Sequence, residues 1–280
     1  MILGTLEQSL IFAFMVLGLY ISYKILDFPD LTVDGSFSLG ASVVAVSLVN
    51  GIDPIIAMIL ACIAGSLAGF ITGYIHVKYN ITNLLSGIIV MSGLYSINLR
   101  VMGRSNIPLF NANTMFTSGN SLLKIIVLLI AVKLILDFIL KTKFGFALRA
   151  MGDNEVLLIS LGINEKNIKI IGLMLANSLV AFSGGILAQY QGFSDIGMGT
   201  GTIITGLASI IIGESIFKET KFINMTLLVI LGSVIYKFII SITLTMGMNP
   251  GDLKLITSII VIAIMGSKNI KKFKGGAKLA

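Results

Sequence analysis

Few side chains in this 280-residue sequence could carry out catalysis or hold a metal. The chain has one histidine, His76, and one cysteine, Cys62, which lies within an apolar run. A zinc or haem site needs several such ligands, and a catalytic site needs a nucleophile or an acid beside its base. The sequence also lacks the G-x-x-x-x-G-K-[ST] phosphate loop, so it cannot hydrolyse ATP by that route. We therefore expect no enzyme, no bound metal and no cofactor.

Three carboxylates lie inside or beside apolar runs, where an ionisable group is a candidate for function. Asp34 precedes one short apolar run, and Glu214 ends another. For these two, the alternatives to a role in transport are a helix cap and an interfacial residue, respectively. Asp137 follows Lys133 by four residues, a helical spacing that allows an ion pair. We expect this pair to reach towards a membrane surface rather than to relay protons, because long basic side chains near helix ends usually do so.

The most patterned polar stretch is 145–162, GFALRAMGDNEVLLISLG. Gly145 and Gly152 bracket a predicted turn of helix over 146–151 that carries Arg149. Asp153 or Asn154 can cap a second short helix, because their side-chain oxygens accept hydrogen bonds from free backbone N–H groups. The apolar residues of this second helix are expected to face the bundle: Val156, Leu157, Ile159 and Leu161. Two such helices on a membrane surface would form a docking surface for a soluble partner. An ordinary basic cytoplasmic loop is the alternative.

Long apolar segments connect these polar residues. The chain is 56% hydrophobic and 12% charged, and a soluble core of this size cannot hide so much apolar surface. The sequence therefore predicts an all-α, polytopic transmembrane helical bundle in a single domain over 1–280, with about nine spans of up to about 20 residues. The expected spans are 4–23, 37–49, 54–74, 84–98, 122–140, 168–190, 202–212, 222–244 and 253–265.

Two of these spans, 37–49 and 202–212, are too short to cross a bilayer as straight helices. The first would measure about 20 Å against a hydrocarbon thickness of about 30 Å. Each follows a polar, glycine-bearing segment, and paired short segments in two halves of a transporter indicate a central pathway. The candidate pathway residues are Asp34, Ser36, Ser38, Asn83, Ser86, Thr202, Thr205, Ser209 and Glu214. For each serine and threonine, hydrogen bonding to a neighbouring helix is the alternative.

The net charge of +7 sets an orientation and does not indicate nucleic-acid binding. If 145–162 lies in the cytoplasm, most of the 20 basic residues fall on the same side, as the positive-inside rule requires. The N-terminus is then outside and the C-terminus is in the cytoplasm. The basic tail, 267–280, suits contact with the anionic headgroups of the lipid bilayer.

The residues G-F-A-L-R-A-M-G-D-N-E at 145–155, followed by L-G-I-N at 161–164, resemble the cytoplasmic loop of bacterial ABC importer permeases. The resemblance is to the branched-chain amino acid and ribose permease branch, and within it to a subgroup for uptake of tryptophan, tyrosine or related amino acids. The segments 27–44 and 206–214 resemble the start of the second span and the late glycine-rich segment of that family. A very short N-terminus and the acidic residues Asp27, Asp30 and Asp34 depart from the family pattern.

The resemblance implies a coupling loop at about 141–167, held by cytosolic ABC ATPase subunits that use the ATP. It assigns ATPase coupling to Gly145, Ala147, Leu148, Arg149, Ala150, Gly152, Asp153, Asn154, Leu161 and Gly162. It also implies a second permease copy, with the pathway at the dimer interface. An extracytoplasmic substrate-binding protein would deliver an amino acid or similar solute. The location would be the bacterial plasma membrane.

The alternative function is an ion-coupled secondary transporter. Such a transporter would need carboxylates in the middle of its spans to bind the coupling ion. In this sequence nearly all acidic residues stand at the ends of the expected spans, which counts against that alternative.

Overall fold

The computed structural model describes residues 2–217, 220, 224–247, 252, 255, 257–259 and 262. The helices are α1 (Ile2–Leu19), α2 (Thr32–Val49), α3 (Pro54–Tyr79), α4 (Asn83–Met102), α5 (Ser121–Lys141), α6 (Lys143–Asp153), α7 (Glu155–Ser160), α8 (Glu165–Gln191), α9 (Thr202–Ile216) and α10 (Met225–Thr245). A π-helical segment, Tyr20–Ile25, continues α1. The all-α prediction needs one correction, because strands β1 (Asn106–Pro108) and β2 (Phe193–Asp195) pair antiparallel.

Among the residues that the structure describes, six helical stretches are long and apolar enough to cross a membrane: Ile2–Ile25, Thr32–Val49, Pro54–Tyr79, Asn83–Met102, Glu165–Gln191 and Met225–Thr245. The helix α5 has 21 residues but includes Lys133 and Asp137 in its second half. The helix α9 has 15 residues and is short, as predicted. Most of the expected ninth span, 253–265, lies outside the described residues. The structure thus supports a polytopic helical bundle with six clear candidate spans.

The predicted boundaries of the second span were wrong. Its helix was expected over 37–49, but α2 begins at Thr32 and has 18 residues, a length of about 27 Å. Asp34 and Ser36 therefore lie within the helix, together with Ser38, rather than ahead of it. They are tolerated there because each makes a hydrogen bond to a neighbouring segment. Of the two segments expected to be short, only α9 is.

The helix α8 runs through the middle of the bundle and packs against α1, α2 and α3. The small residues predicted along α3 permit its closest approach to α8. A Cβ atom built at Gly69 would overlap the carbonyl oxygen of Leu173, and one at Gly65 would overlap that of Asn177. The backbones of α3 and α8 can come into contact here because the glycines have no side chain to separate them. Small residues four apart allow this close packing in membrane helices.

The bundle has two distinct ends. We call one the α6 end, because α6 and α7 cover it. There Lys24, at the end of the π-helical segment, forms a 3.0 Å ion pair with Glu214 of α9, and His76 of α3 lies 3.3 Å from Lys169 of α8. We call the other the strand end, because it carries β1 and β2. The long helices alternate in direction between these ends.

Candidate functional site

The segment 141–167 folds into α6 and α7 on the α6 end. Thr142 begins α6: its hydroxyl donates to the carbonyl oxygen of Ile139 at 2.6 Å and accepts from the N–H of Gly145 at 3.5 Å. A Cβ at Gly145 would overlap the backbone of Leu140, so the sharp turn from α5 into α6 requires glycine. The predicted helix over 146–151 is confirmed and extends to Lys143–Asp153. Asn154 stands directly before α7, where the sequence placed a cap.

The two sides of α6 differ in chemistry, as predicted. Gly145, Ala147, Leu148 and Met151 are buried against the bundle. Arg149 and Asp153 are exposed on the opposite side. The guanidinium of Arg149 lies 6.0 Å from the ring centroid of Phe146. The charged residues of the helix therefore face outward and remain available to another molecule.

The predicted orientation of α7 was wrong. Its apolar residues were expected to face the bundle, but Val156, Ile159 and Leu161 are 71%, 54% and 65% exposed, and Leu158 alone is buried, at 1%. The side chain of Leu157 lies outside the described part of the structure. The reason is length: a helix of six residues has room for one buried anchor, so the others turn outward. Together with Phe146, 62% exposed, these side chains form an apolar patch (Phe146, Val156, Ile159 and Leu161).

The inner side of α6 rests on the segment that joins α1 to α2. A Cβ atom at Gly152 would overlap the carbonyl oxygen of Ile25, so the two backbones touch. Above this contact, Gly172 of α8 accommodates Leu26 and Leu148, because a Cβ there would lie 2.6 Å and 2.7 Å from their side chains. The inner side of α6 is therefore in backbone contact with the segment that leads into α2.

A buried polar network holds the start of α2. The Asp30 carboxylate is fully buried and accepts hydrogen bonds from the backbone N–H of Thr32 at 2.8 Å and the amide of Asn177 at 2.7 Å. The hydroxyl of Thr32 pairs with that of Thr72 at 2.7 Å. Since Thr72 stands about 10 Å along α3 from its end at Tyr79, α2 begins inside the bundle. The sequence marked Asp30 only as an acidic departure and did not predict its burial.

Replacing Thr72 by valine will lower the stability of the bundle modestly. Valine keeps the volume of threonine, so the main change is loss of the hydroxyl, which pairs with that of Thr32 and donates to the carbonyl oxygen of Ala68 at 3.1 Å. A buried hydrogen bond of this kind contributes about 1 kcal/mol. We expect a lower midpoint of thermal unfolding for T72V, measured in detergent by fluorescence-detected chromatography. The matched control is Thr245→Val at the exposed end of α10, which should unfold within error of the original chain.

Asp34 connects the start of α2 to the start of α9, the two polar segments that were predicted to form the pathway. Its carboxylate accepts from the backbone N–H groups of Gly201 at 2.8 Å and Ile203 at 2.9 Å, and from the hydroxyl of Thr202 at 2.9 Å. Asp34 was expected to cap its own helix, α2, but it caps α9. A negative charge at a helix N-terminus is stabilising, because it complements the free N–H groups and the helix dipole. Asp34 is therefore a helix cap, as the alternative interpretation predicted, but it caps α9 instead of α2.

Ser38 holds the segment before α9 in the same region. Its hydroxyl donates to the carbonyl oxygen of Ile196 at 3.0 Å and accepts from the N–H of Gly199 at 2.9 Å. Asp34, Ser38 and Thr202 therefore meet at one place, which we call the α2–α9 junction. The junction fixes the start of the short helix α9 against the first turns of α2.

The other pathway candidates do not converge on this junction. Ser36 donates to the side chain of Asn177 at 2.7 Å, on the α8 side of α2. The remaining serines and threonines bond within their own helices: Ser86 to Asn83, Thr205 to Thr202, and Ser209 to Thr205. Asn83 begins α4 at the α6 end. Glu214 pairs with Lys24 at that same end, which agrees with the interfacial alternative.

The predicted pair on α5 is present. The amine of Lys133 lies 2.6 Å from the Asp137 carboxylate, which also accepts from the hydroxyl of Thr226 at 2.6 Å. Asp137 borders a cavity of about 510 Å³ at the α6 end, between α5, α6 and the start of α10. Arg149 and Asp153 line the same cavity. A polar recess thus opens beside the outward charges of α6.

Comparisons with known proteins agree on one family. The sequence model described as branched-chain amino acid transport system / permease component matches residues 1–266. The tyrosine transport system permease protein of Clostridioides difficile is 50% identical over 281 residues, 99% of this chain and 95% of that protein. An uncharacterised protein of Rickettsia prowazekii is 36% identical over 273 residues, 95% of this chain and 97% of that protein.

Two solved structures share the fold. PsaBC from Streptococcus pneumoniae, in complex with a Fab, superposes with a TM-score of 0.56 and 16% identity, over 93% of this chain and 89% of that one. A structure described as an inward-facing conformation of a metal-chelate type ABC transporter has a TM-score of 0.52 and 14% identity, over 95% and 84% of the chains. At these identities the likeness concerns the architecture alone.

Proposed function

The chain belongs to the branched-chain amino acid transport system permease family, and on that premise we propose that it carries an amino acid across a bacterial plasma membrane as the permease subunit of an ABC importer. The half-identical relative named for tyrosine transport supports tyrosine, or a similar amino acid, as the solute. In this proposal the α6 end faces the cytoplasm, the N-terminus is outside and the C-terminus is inside. The excess of basic residues predicted for that side supports the orientation.

Cytosolic ATPase subunits bind the outward side of α6 and α7. The observation that carries this assignment is the apolar patch, whose four side chains are each more than half exposed beside Arg149 and Asp153. Exposed apolar side chains rimmed by charge mark protein interaction surfaces. The patch lies beyond the bundle's end, where a soluble partner can cover it. The recess beside Arg149 can receive a polar loop of that partner.

In this proposal, a force applied to α6 is transmitted to the pathway through backbone contacts and hydrogen bonds. The backbone of Gly152 touches Ile25, and the chain then rises beside α8 to Asp30 and the start of α2. From α2, Asp34 holds α9 at its first turn. ATP binding and hydrolysis in the partner would therefore shift the α2–α9 junction and open or close the path. A second permease copy completes that path, and a substrate-binding protein delivers the amino acid at the strand end.

Charge reversal on α6 tests the partner surface. We expect Arg149→Glu to reduce co-purification of the cognate ATPase at least tenfold, because an exposed charge at an interface centre is worth about 1.4 kcal/mol or more. Membrane insertion should not change, since Arg149 is exposed. The control is Lys78→Glu, the same charge change at an exposed position at the end of α3, which should leave co-purification intact.

Two outcomes would contradict this proposal. Full co-purification of the ATPase with R149E would place the partner elsewhere on the chain. Uptake of amino acid into liposomes by the purified permease alone, driven by an ion gradient, would instead identify an ion-coupled secondary transporter.

A further inference from the structure

Two basic residues lie within helices and well away from either helix end: Lys133 of α5, which pairs with Asp137, and Lys237 of α10. The register of α10 against α1 places Lys237 accurately. The hydroxyl of Thr5 pairs with that of Ser241 at 2.9 Å, and Ser233 donates to the carbonyl oxygen of Ser9 at 3.2 Å. The backbone of Lys237 is therefore level with Glu7 of α1.

The ammonium of Lys237 points deeper into the bundle. It lies 3.3 Å from the ring centroid of Phe12. Phe12 stands five residues beyond Glu7, about 8 Å further from the strand end. A lysine that reached for the nearer membrane surface would extend in the opposite direction. The side chain is thus committed to the interior, where an ionisable group is expensive and indicates function.

No carboxylate neutralises this cation among the residues that the structure describes. The ion pairs there join Lys24, Lys133 and Lys169 to their acidic partners, and Lys237 is in none of them. Glu7, at the same level, accepts a hydrogen bond from the hydroxyl of Tyr190 at 2.8 Å instead. The face of Phe12 attracts the cation, yet a ring carries no net charge. The ammonium of Lys237 therefore keeps a positive charge that an anion can neutralise.

The aromatic surroundings connect this cation to the α2–α9 junction. Phe12 stacks on Phe37 of α2, with ring centroids 5.7 Å apart and an interplanar angle of 25°. Phe37 lies between Ser36 and Ser38, and Ser38 holds the segment that leads into α9. The cation, the two rings and the junction therefore lie at neighbouring positions along α2.

We propose that Lys237, seated over Phe12, is a carboxylate-binding point for the transported amino acid. The ammonium takes the α-carboxylate of the solute, and the stacked rings of Phe12 and Phe37 hold the ammonium in its position. This inference rests on the proposed function and adds to it the chemical group that the pathway recognises. A solute with the same side chain but without a carboxylate is a poor ligand for the site.

The chain contains no tryptophan, so Phe12→Trp creates a single reporter beneath Lys237. Tryptophan preserves the aromatic face and binds cations more strongly than phenylalanine. With the full permease chain in lipid nanodiscs, we expect L-tyrosine to shift the emission excited where tryptophan alone absorbs. Tyramine, which lacks the carboxylate, should bind at least tenfold more weakly. When Lys237→Met is added to the Phe12→Trp chain, the affinity for L-tyrosine should fall to that for tyramine. Equal responses to both compounds, or a K237M response like the parent's, would overturn the proposal.

Transport by the complete importer provides a second readout. Lys237→Met keeps the length of the side chain and removes a half-buried charge, so it should fold and insert. We expect at least a tenfold loss of amino-acid uptake, with co-purification of the ATPase unchanged. Lys237→Arg, which keeps the charge, should retain most uptake, and Lys78→Met, a lysine at a span's end, should behave as the parent. Equal losses in K237M and K237R would assign Lys237 to packing and refute the binding point. If the ATPase fails to join even the parent chain, the proposed function itself fails.

Discussion

Replacing Gly152 by valine will separate ATP hydrolysis from amino-acid uptake. The new side chain has no room, because its Cβ would overlap the carbonyl oxygen of Ile25. Overpacking of this kind costs about 1–3 kcal/mol and displaces one backbone from the other. The outward side of α6, with Arg149 and the apolar patch, is unchanged. In reconstituted vesicles we expect ATPase co-purification and hydrolysis to persist while uptake falls at least tenfold.

A second glycine provides the control for this prediction. Gly93 lies in α4, and a Cβ built there meets no atom within 4 Å. Gly93→Val adds the same side chain without displacing a neighbour, so its uptake and hydrolysis should match the parent chain. Normal uptake by G152V would show that the contact with Ile25 does not transmit the movement. Loss of the ATPase from G152V would show instead that the two sides of α6 are not independent.

Replacing Asp34 by alanine will abolish uptake and destabilise the bundle. The change removes three hydrogen bonds and leaves the N–H groups of Gly201 and Ile203 without their acceptor inside the protein. Loss of an N-cap costs about 1–2 kcal/mol, and hydrogen bonds to a charged group contribute about 1.5–3 kcal/mol. We expect a fall of about 3 kcal/mol or more in unfolding free energy, measured by denaturant titration in detergent. Uptake should reach background.

A second capping aspartate, Asp53, provides the control that distinguishes the general effect of losing a helix cap from the specific effect of losing the α2–α9 junction. Asp53 begins α3 and accepts from the N–H of Ile55 at 2.8 Å at an exposed position. Asp53→Ala should cost about 1 kcal/mol, the usual value for a cap, and should keep uptake. If D34A and D53A have the same small effect on uptake, the α2–α9 junction is not part of the path.

Local patterns account for the features that the sequence predicted correctly. The i, i+4 spacing of Lys133 and Asp137 specified their ion pair, since neighbouring turns of one helix present both side chains together. Glycines at every fourth position of α3 specified its close packing. In each case the information lies within a few residues along the chain.

The features that the sequence did not predict depend on distant partners. Asp34 and Gly201 are 167 residues apart, and a carboxylate ahead of an apolar run does not specify which helix it will cap. Asp30 and Asn177 are 147 residues apart, so neither predicted the burial of the other. The outward turn of Val156 and Ile159 had no signal either, because six residues are too few for periodicity to indicate a buried face.

The small strand pair has a consequence for events at the opposite end from α6. The residues of β1 belong to the long segment between α4 and α5, and β2 leads within a few residues to Ile196 and Gly201, which α2 holds. Backbone hydrogen bonds therefore connect that segment to the residues just before α9. Thermodynamic linkage makes the connection reciprocal: a molecule that favours one position of the segment biases α9, and α9 alters its affinity by the same factor.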